Sequence, residues 1–152
     1  MANTYSQVFL HIIFAVKNRD AIIPPTELAR VHTYIIGTLR QQGHMPYAAG
    51  GTGDHVHLLI GYNITQPIPD MVRDIKSSTS RFINQNRLTP GRFEWQAGYG
   101  CFSHSKSQTD SVCRYIRNQN MHHKSISLED EIKHILDRFG VEYDQRYIIR
   151  DP

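Results

Sequence analysis

Asp54-His55-Val56-His57-Leu58-Leu59-Ile60 is the stretch from which the rest of the chain can be placed. Residues two apart on a strand point to the same side. A strand over 55–62 therefore sends Val56, Leu58 and Ile60 into a core and sets His55 and His57 side by side on the opposite face. Just before it, Gly50-Gly51-Thr52-Gly53-Asp54 has the composition of a turn, and 45–49 reads as a short strand. The two strands then form a hairpin. Two imidazoles sharing a strand face make half of a divalent-metal site. Ordinary hydrogen bonding also satisfies a bare His-x-His, so the pair needs a second element before it means metal.

Upstream, residues 5–16 alternate between two largely apolar faces. Val8, Leu10, Ile12, Phe14 and Val16 line one; Phe9, His11, Ile13 and Ala15 line the other, which predicts a strand covered on both sides. Thr26 is placed as the N-cap of a helix carrying Leu28, Val31, Ile35 and Leu39 and ended by Gly43. Pro67 and Pro69 open a second helix, with Val72, Ile75, Thr79 and Phe82 inward and Arg73, Lys76 and Arg81 outward. Residues 88–98 form a loop holding the only tryptophan, Trp95, and 99–105 a fourth strand. The order β-α-β-β-α-β predicts an α+β, ferredoxin-like antiparallel sheet with two helices on one face. Its other face is expected to be free for function, as in RNA-recognition modules of that topology.

Two further helices follow. One is capped by Thr109 or Asp110 and runs to about His123. The next is capped by Ser127 with Asp130, buries Ile132, Ile135, Leu136 and Phe139, and stops at Gly140. Glu129, Asp130 and Glu131 fall in its first turn, where the helix dipole favours carboxylates, and they need no other role.

A chain of 152 residues, 39% hydrophobic and 10% aromatic, is expected to form one domain over 1–152 with a real core. The net charge of +3 is uneven: residues 1–128 carry +6 and residues 129–152 carry −3. The basic part suits a polyanion, nucleic acid first, although a mildly basic surface needs no partner. No apolar run is long enough to span a membrane. The polar start, Met1 to Gln7, lacks a signal-peptide pattern, and a cytoplasmic protein is expected. Cys101 and Cys113 are expected to be free thiols. A zinc set of Cys101, His104, Cys113 and His122 matches no common structural spacing.

The second chemical element is Val112-Cys113-Arg114-Tyr115-Ile116-Arg117-Asn118-Gln119. On a helix, Tyr115 and Gln119 share a face about 6 Å apart along the axis. A phenol is a possible nucleophile and an amide oxygen a possible metal ligand, whereas an amphipathic helix packing Tyr and Ile on a sheet is the plainer alternative. The histidine pair followed by a Tyr-x-x-x-Gln helix resembles the HUH superfamily of single-strand DNA nucleases. More closely, the chain resembles the small single-tyrosine transposases of bacterial insertion sequences. Also part of that likeness are the opening strand, Phe93-Glu94-Trp95-Gln96-Ala97-Gly98-Tyr99, and His122-His123-Lys124 after the tyrosine helix.

The resemblance implies that His55, His57 and Gln119 hold a divalent metal, Mg²⁺ or Mn²⁺, and that Tyr115 attacks DNA. It implies cleavage and rejoining of single-stranded DNA at element ends through a 5′-phosphotyrosine, with recognition of hairpins there. It implies a homodimer whose active sites are shared between chains, in a bacterial or archaeal cytoplasm, on the nucleoid when DNA-bound. Ligand type alone also admits Zn²⁺. Arg73, Lys76, Arg81, Arg114, Arg117, His122 and His123 are candidate DNA contacts, each equally readable as a solvated surface. Two alternatives stay open: a domesticated relative processing repeated chromosomal hairpins, and a non-catalytic nucleic-acid module.

Overall fold

Strand β1 (Phe9–Ala15) pairs antiparallel with β3 (His55–Gly61) on one side and β4 (Gly100–His104) on the other, and β2 (Met45–Gly50) pairs with β3. The sheet order is β2-β3-β1-β4, the ferredoxin-like order. The computed structural model describes residues 3–152, so Met1 and Ala2 of the polar start lie outside the described residues. β1, β3 and β4 are shorter than the sequence suggested, and β2 is one residue longer. Before β1, Tyr5 is almost fully exposed, because its side chain has nothing to pack against.

Helices α1 (Leu28–Gln41) and α2 (Ile68–Gln85) cover one face. Val31, Ile35 and Leu39 meet Met71, Val72, Ile75 and Ile83 over the strand residues Leu10, Ile12, Phe14, Val56, Leu58 and Ile60. The expected cap at Thr26 does not form. Pro25–Glu27 make a 3₁₀ turn instead, and Glu27 precedes α1 without a side-chain cap. Prolines 24 and 25 hold this entry in extended and then helical geometry, so no hydroxyl is needed.

The second face is not free, contrary to the expectation from topology, but covered, as the two apolar sides of β1 predicted. Three helices cover it: α3 (Thr109–Arg117), α4 (Gln119–His122) and α5 (Leu128–Phe139). Val112 and Ile116 of α3 pack on Phe9, Ala48 and Leu59. Leu128 and Ile132 of α5 pack with Ile148 of the tail on Ile13, Ala15 and Phe102. The physical reason was already in β1, whose second face carries Phe9, Ile13 and Ala15 beside His11 and is costly to leave wet. The single helix expected over 109–123 is broken at Asn118 (φ −96°, ψ 19°), and Gln108 rather than Thr109 or Asp110 precedes it, without a side-chain cap. Ser127 accepts from the Asp130 amide, and Gly140 closes α5 in the left-handed region (φ 66°), both as expected.

Gly50 decides how closely α3 can approach. A Cβ there would lie 2.3 Å from the Ile116 carbonyl oxygen and 2.9 Å from its Cγ2. Only glycine lets the tyrosine helix rest on β2 at this depth.

Candidate active site

His55 and His57 leave the second face of β3 as the alternation requires, but they are buried beneath the helices rather than open to solvent. Their exposures are 1% and 0%, and those of Gln119 and Glu131 are 1% each. Because α4 starts one turn after Tyr115, it presents Gln119 to the pair, and Gln119 Oε1 lies 2.9 Å from His55 Nε2. Glu131, one turn into α5, reaches the centre of the group. It accepts from His57 Nε2 at 3.1 Å, His123 Nε2 at 2.9 Å and Gln119 Nε2 at 3.1 Å, and from the Tyr115 hydroxyl. The Tyr115 ring stands edge-on to His57 with 5.7 Å between centroids.

The outer bonds of the two histidines set their tautomers. His55 Nδ1 lies 2.6 Å from Asp54 Oδ1 and donates to it. If that is the ring's only proton, Nε2 presents a lone pair to the Gln119 carbonyl oxygen. Two acceptors at that distance are reconciled by a proton or by a metal ion between them. His57 Nδ1 lies 2.7 Å from His11 Nε2, so a donor at His57 Nε2 makes His11 the donor at the other end, and a metal at Nε2 reverses the pair. A carboxylate behind a histidine, as Asp54 stands behind His55, is a usual support of a metal site. One ligand atom from each of His55, His57, His123 and Glu131 lies within 4.8 Å of the others. Imidazole nitrogens with a carboxylate and an amide oxygen fit a divalent cation.

Burial first, then the bond to Glu131 and its charge, raise the Tyr115 phenol well above its ordinary value of 10. Burial acts to raise Glu131 too, but bonds from His123 and His57 outweigh it and hold the carboxyl far below the usual range. Burial also lowers His57, to about 4. His123 goes the other way: its burial is outweighed by the bond to Glu131, and its pKa is raised.

The structure brings together His55, His57, Tyr115, Gln119 and His123, and sets His122 Nε2 3.3 Å from Glu131. The basic candidates divide across the sheet. Arg73, Lys76 and Arg81 are on α2, on the far face from Tyr115. Arg73 pairs with Asp70 and Asp74, and Lys76 donates to the Gln96 and Gly98 carbonyls, holding the tryptophan loop. Arg114 and Arg117 are on α3, where Arg114 reaches only Ser111 among the described residues. Cys101 packs into the first-face core, whereas Cys113, on α3, packs against the second-face cluster, so they do not share a site.

The reading that Glu131 serves only the helix dipole is corrected by its burial among donors. The signal was its spacing. Leu128, Glu131, Ile132 and Ile135 form one inward stripe, and a carboxylate on an apolar stripe calls for partners. His11, on the second face of β1 between Phe9 and Ile13, gave the same signal.

Fold and site together define an α+β protein of the ferredoxin-like arrangement with a tyrosine beside a buried histidine–carboxylate cluster. The chain belongs to the IS200-like transposase family, whose profile matches residues 4–119. It is a transposase by family, and no helix among the described residues is long and apolar enough to cross a membrane. Among solved structures, it resembles a protein of Deinococcus radiodurans R1 assigned as a transposase, with a TM-score of 0.58 and 23% identity over 78% of this chain and 95% of that one. It also resembles a REP-associated tyrosine transposase bound to a REP hairpin, with a TM-score of 0.59 and 15% identity over 94% of this chain and 87% of that one. No functionally curated protein matches the chain in sequence.

Proposed function

We propose that this transposase cleaves and rejoins single-stranded DNA at element ends through a 5′-phosphotyrosine on Tyr115, with hairpins as the feature it recognises. The observation that carries the reading is the meeting of three elements at one carboxylate: Glu131 touches His57 from β3, Tyr115 from α3 and Gln119 from α4. In the covalent step Tyr115 Oη bonds to phosphorus and gives up its proton. The P–O3′ bond breaks, and the departing oxygen ends as a 3′-OH. The new ester keeps the energy of the old one, so a different 3′-OH can reverse the step and join new ends. Glu131 holds the phenol hydroxyl against the histidines before attack.

His55, His57 and Gln119, with Glu131 and His123 beside them, are the residues to hold Mg²⁺ or Mn²⁺. Such an ion supplies charge against the phosphate and its leaving oxygen. The covered second face disfavours a non-catalytic module that reads bases on an open sheet. The chain further acts as a homodimer able to share active sites. In support, the connection before α3 is exposed and polar at Ser105, Lys106, Ser107 and Gln108, and edge strand β2 leaves Met45 and Tyr47 exposed.

The test uses single-stranded element ends labelled on the 3′ side of the cut, with Mg²⁺, on a denaturing gel. The wild-type chain gives a labelled covalent adduct. Tyr115→Phe gives none while still binding the hairpin. An adduct of normal yield from Tyr115→Phe removes Tyr115 from its role.

A further inference from the structure

A cavity of about 280 Å³ opens on the Tyr115 side of the cluster, between the end of β4, α3 and α5. Tyr115 forms part of its wall, whereas His55, His57 and His123 do not. Its polar wall is short of partners. His104 Nε2 is buried with no hydrogen bond among the described residues. His122 Nε2 is likewise unbonded, 3.3 Å from Glu131 Oε2 but out of line. Arg138 is exposed at the rim. Its guanidinium enters no hydrogen bond or ion pair among the described residues. A buried nitrogen left unbonded costs roughly 1–3 kcal/mol, so such groups in a cavity wall mark the place of a polar ligand.

The wall beside His104 is apolar. Ile135 and Phe139 line it, and Phe139, 39% exposed, stands edge-on to His104 at 5.6 Å. The Glu131 carboxylate also borders the cavity, with its oxygens engaged by His57, His123 and Tyr115. An aromatic ring with unbonded ring nitrogens next to it, beside a nucleophile, suits one unstacked nucleotide whose face rests on the ring and whose edge meets the nitrogens.

We propose that this cavity seats the first nucleotide on the 3′ side of the cut. Its base lies against Phe139 with an edge toward His104, and its 3′-phosphate faces Arg138. The inference rests on the proposed tyrosine chemistry, which decides the side. After attack, the nucleotide bearing the 5′-phosphate stays bonded to Tyr115, while the strand with the free 3′-OH leaves on the histidine side. The seat therefore holds the nucleotide retained in the adduct and reads its base.

Photo-crosslinking tests the position directly. A 5-iodouracil is placed in turn on each side of the cut in a hairpin-bearing single strand bound to Tyr115→Phe. The probe on the 3′ side is expected to crosslink to peptides containing His104 or Phe139, and the probe on the 5′ side is not. In cleavage assays Arg138→Ala, a rim change that leaves the core untouched, lowers kcat/KM roughly tenfold, the worth of a hydrogen bond to a charged group. Hairpin affinity and Mn²⁺ affinity stay unchanged. His104→Gln alters the base preference at the first 3′ position. If the wild-type chain forms no adduct with any strand, the tyrosine chemistry fails and the seat with it. If it forms adducts, the seat alone is overturned by 3′ crosslinks mapping elsewhere, or by both variants cleaving like wild type.

Discussion

Replacing Glu131 with glutamine keeps its size and removes its charge. The carboxylate accepts from four donors: His57 Nε2, His123 Nε2, Gln119 Nε2 and the Tyr115 hydroxyl. A glutamine offers one oxygen and turns an NH₂ toward the rest. If its oxygen serves two of them, two donors lose their acceptor, and three of the four, His57, Gln119 and His123, do not line the cavity and cannot turn to its water instead. At roughly 1–3 kcal/mol for each unsatisfied buried group, the metal-free protein loses about 3 kcal/mol. For a chain of this size that lowers Tm by roughly 6–12 °C. Tyr115 loses the bond and the negative charge that raise its phenol, so its pKa falls toward 10 while burial still keeps it higher. Thermal unfolding in chelator gives the first quantity. Ultraviolet titration of Glu131→Gln, with Tyr115→Phe to identify the transition, gives the second. Mn²⁺ affinity drops as well, because the only carboxylate of the cluster is gone. A variant with unchanged Tm and an unchanged Tyr115 transition would refute the central place given to Glu131.

Gly50→Ala sets a methyl group 2.3 Å from the Ile116 carbonyl oxygen, which no side-chain rotation relieves, so about 1–3 kcal/mol of stability is lost and covalent adduct formation falls with the displaced tyrosine helix. Normal stability and adduct yield would place α3 elsewhere. In chelator, stability falls as pH drops from 6.5 toward 4: burial lowers His57 to about 4 and lowers His11 as well, so their contribution is full above the unfolded value and is lost as the rings take up protons. Denaturant unfolding at intervals across that window checks the sign, and a flat or rising profile contradicts it. Mixing a His55→Ala/His57→Ala chain with a Tyr115→Phe chain restores cleavage at one site of the mixed dimer if sites are shared between chains, and at none if each chain serves itself.

The strands and the first two helices were legible because their period survives in single residues. Val56, Leu58 and Ile60 alternate with His55 and His57, and Val31, Ile35 and Leu39 recur at helical spacing, so one side of each element had to be buried. What covers the second face was less legible, because α3 and α5 are short and join the sheet through long-range contacts that no local pattern records. The break at Asn118 is invisible because no proline or glycine marks it. Glu131 was misassigned because two physical demands coincide on it. A carboxylate in the first turn of a helix is favourable by itself, and only its place in line with Leu128 and Ile132 shows that it faces inward.

That coincidence links the chemistry to the far end of the fold. The family match ends at Gln119, with the histidine pair and Tyr115 inside it and Glu131 beyond it. The matched part therefore holds the groups to which the proposed reaction is assigned, and the following segment supplies the carboxylate that joins them. Glu131 is held in place by the packing on either side of it: Leu128 and Ile132 sit on Ile13, Ala15 and Phe102, with Ile148 closing the same cluster from the tail. Asp151 adds a tie by accepting from the Leu128 amide at 3.1 Å. An apolar cluster that touches no reacting atom thus determines whether a carboxylate meets the Tyr115 hydroxyl, and any rearrangement that moves α3 onto a partner must break the bond between Tyr115 and Glu131 or carry α5 along with it.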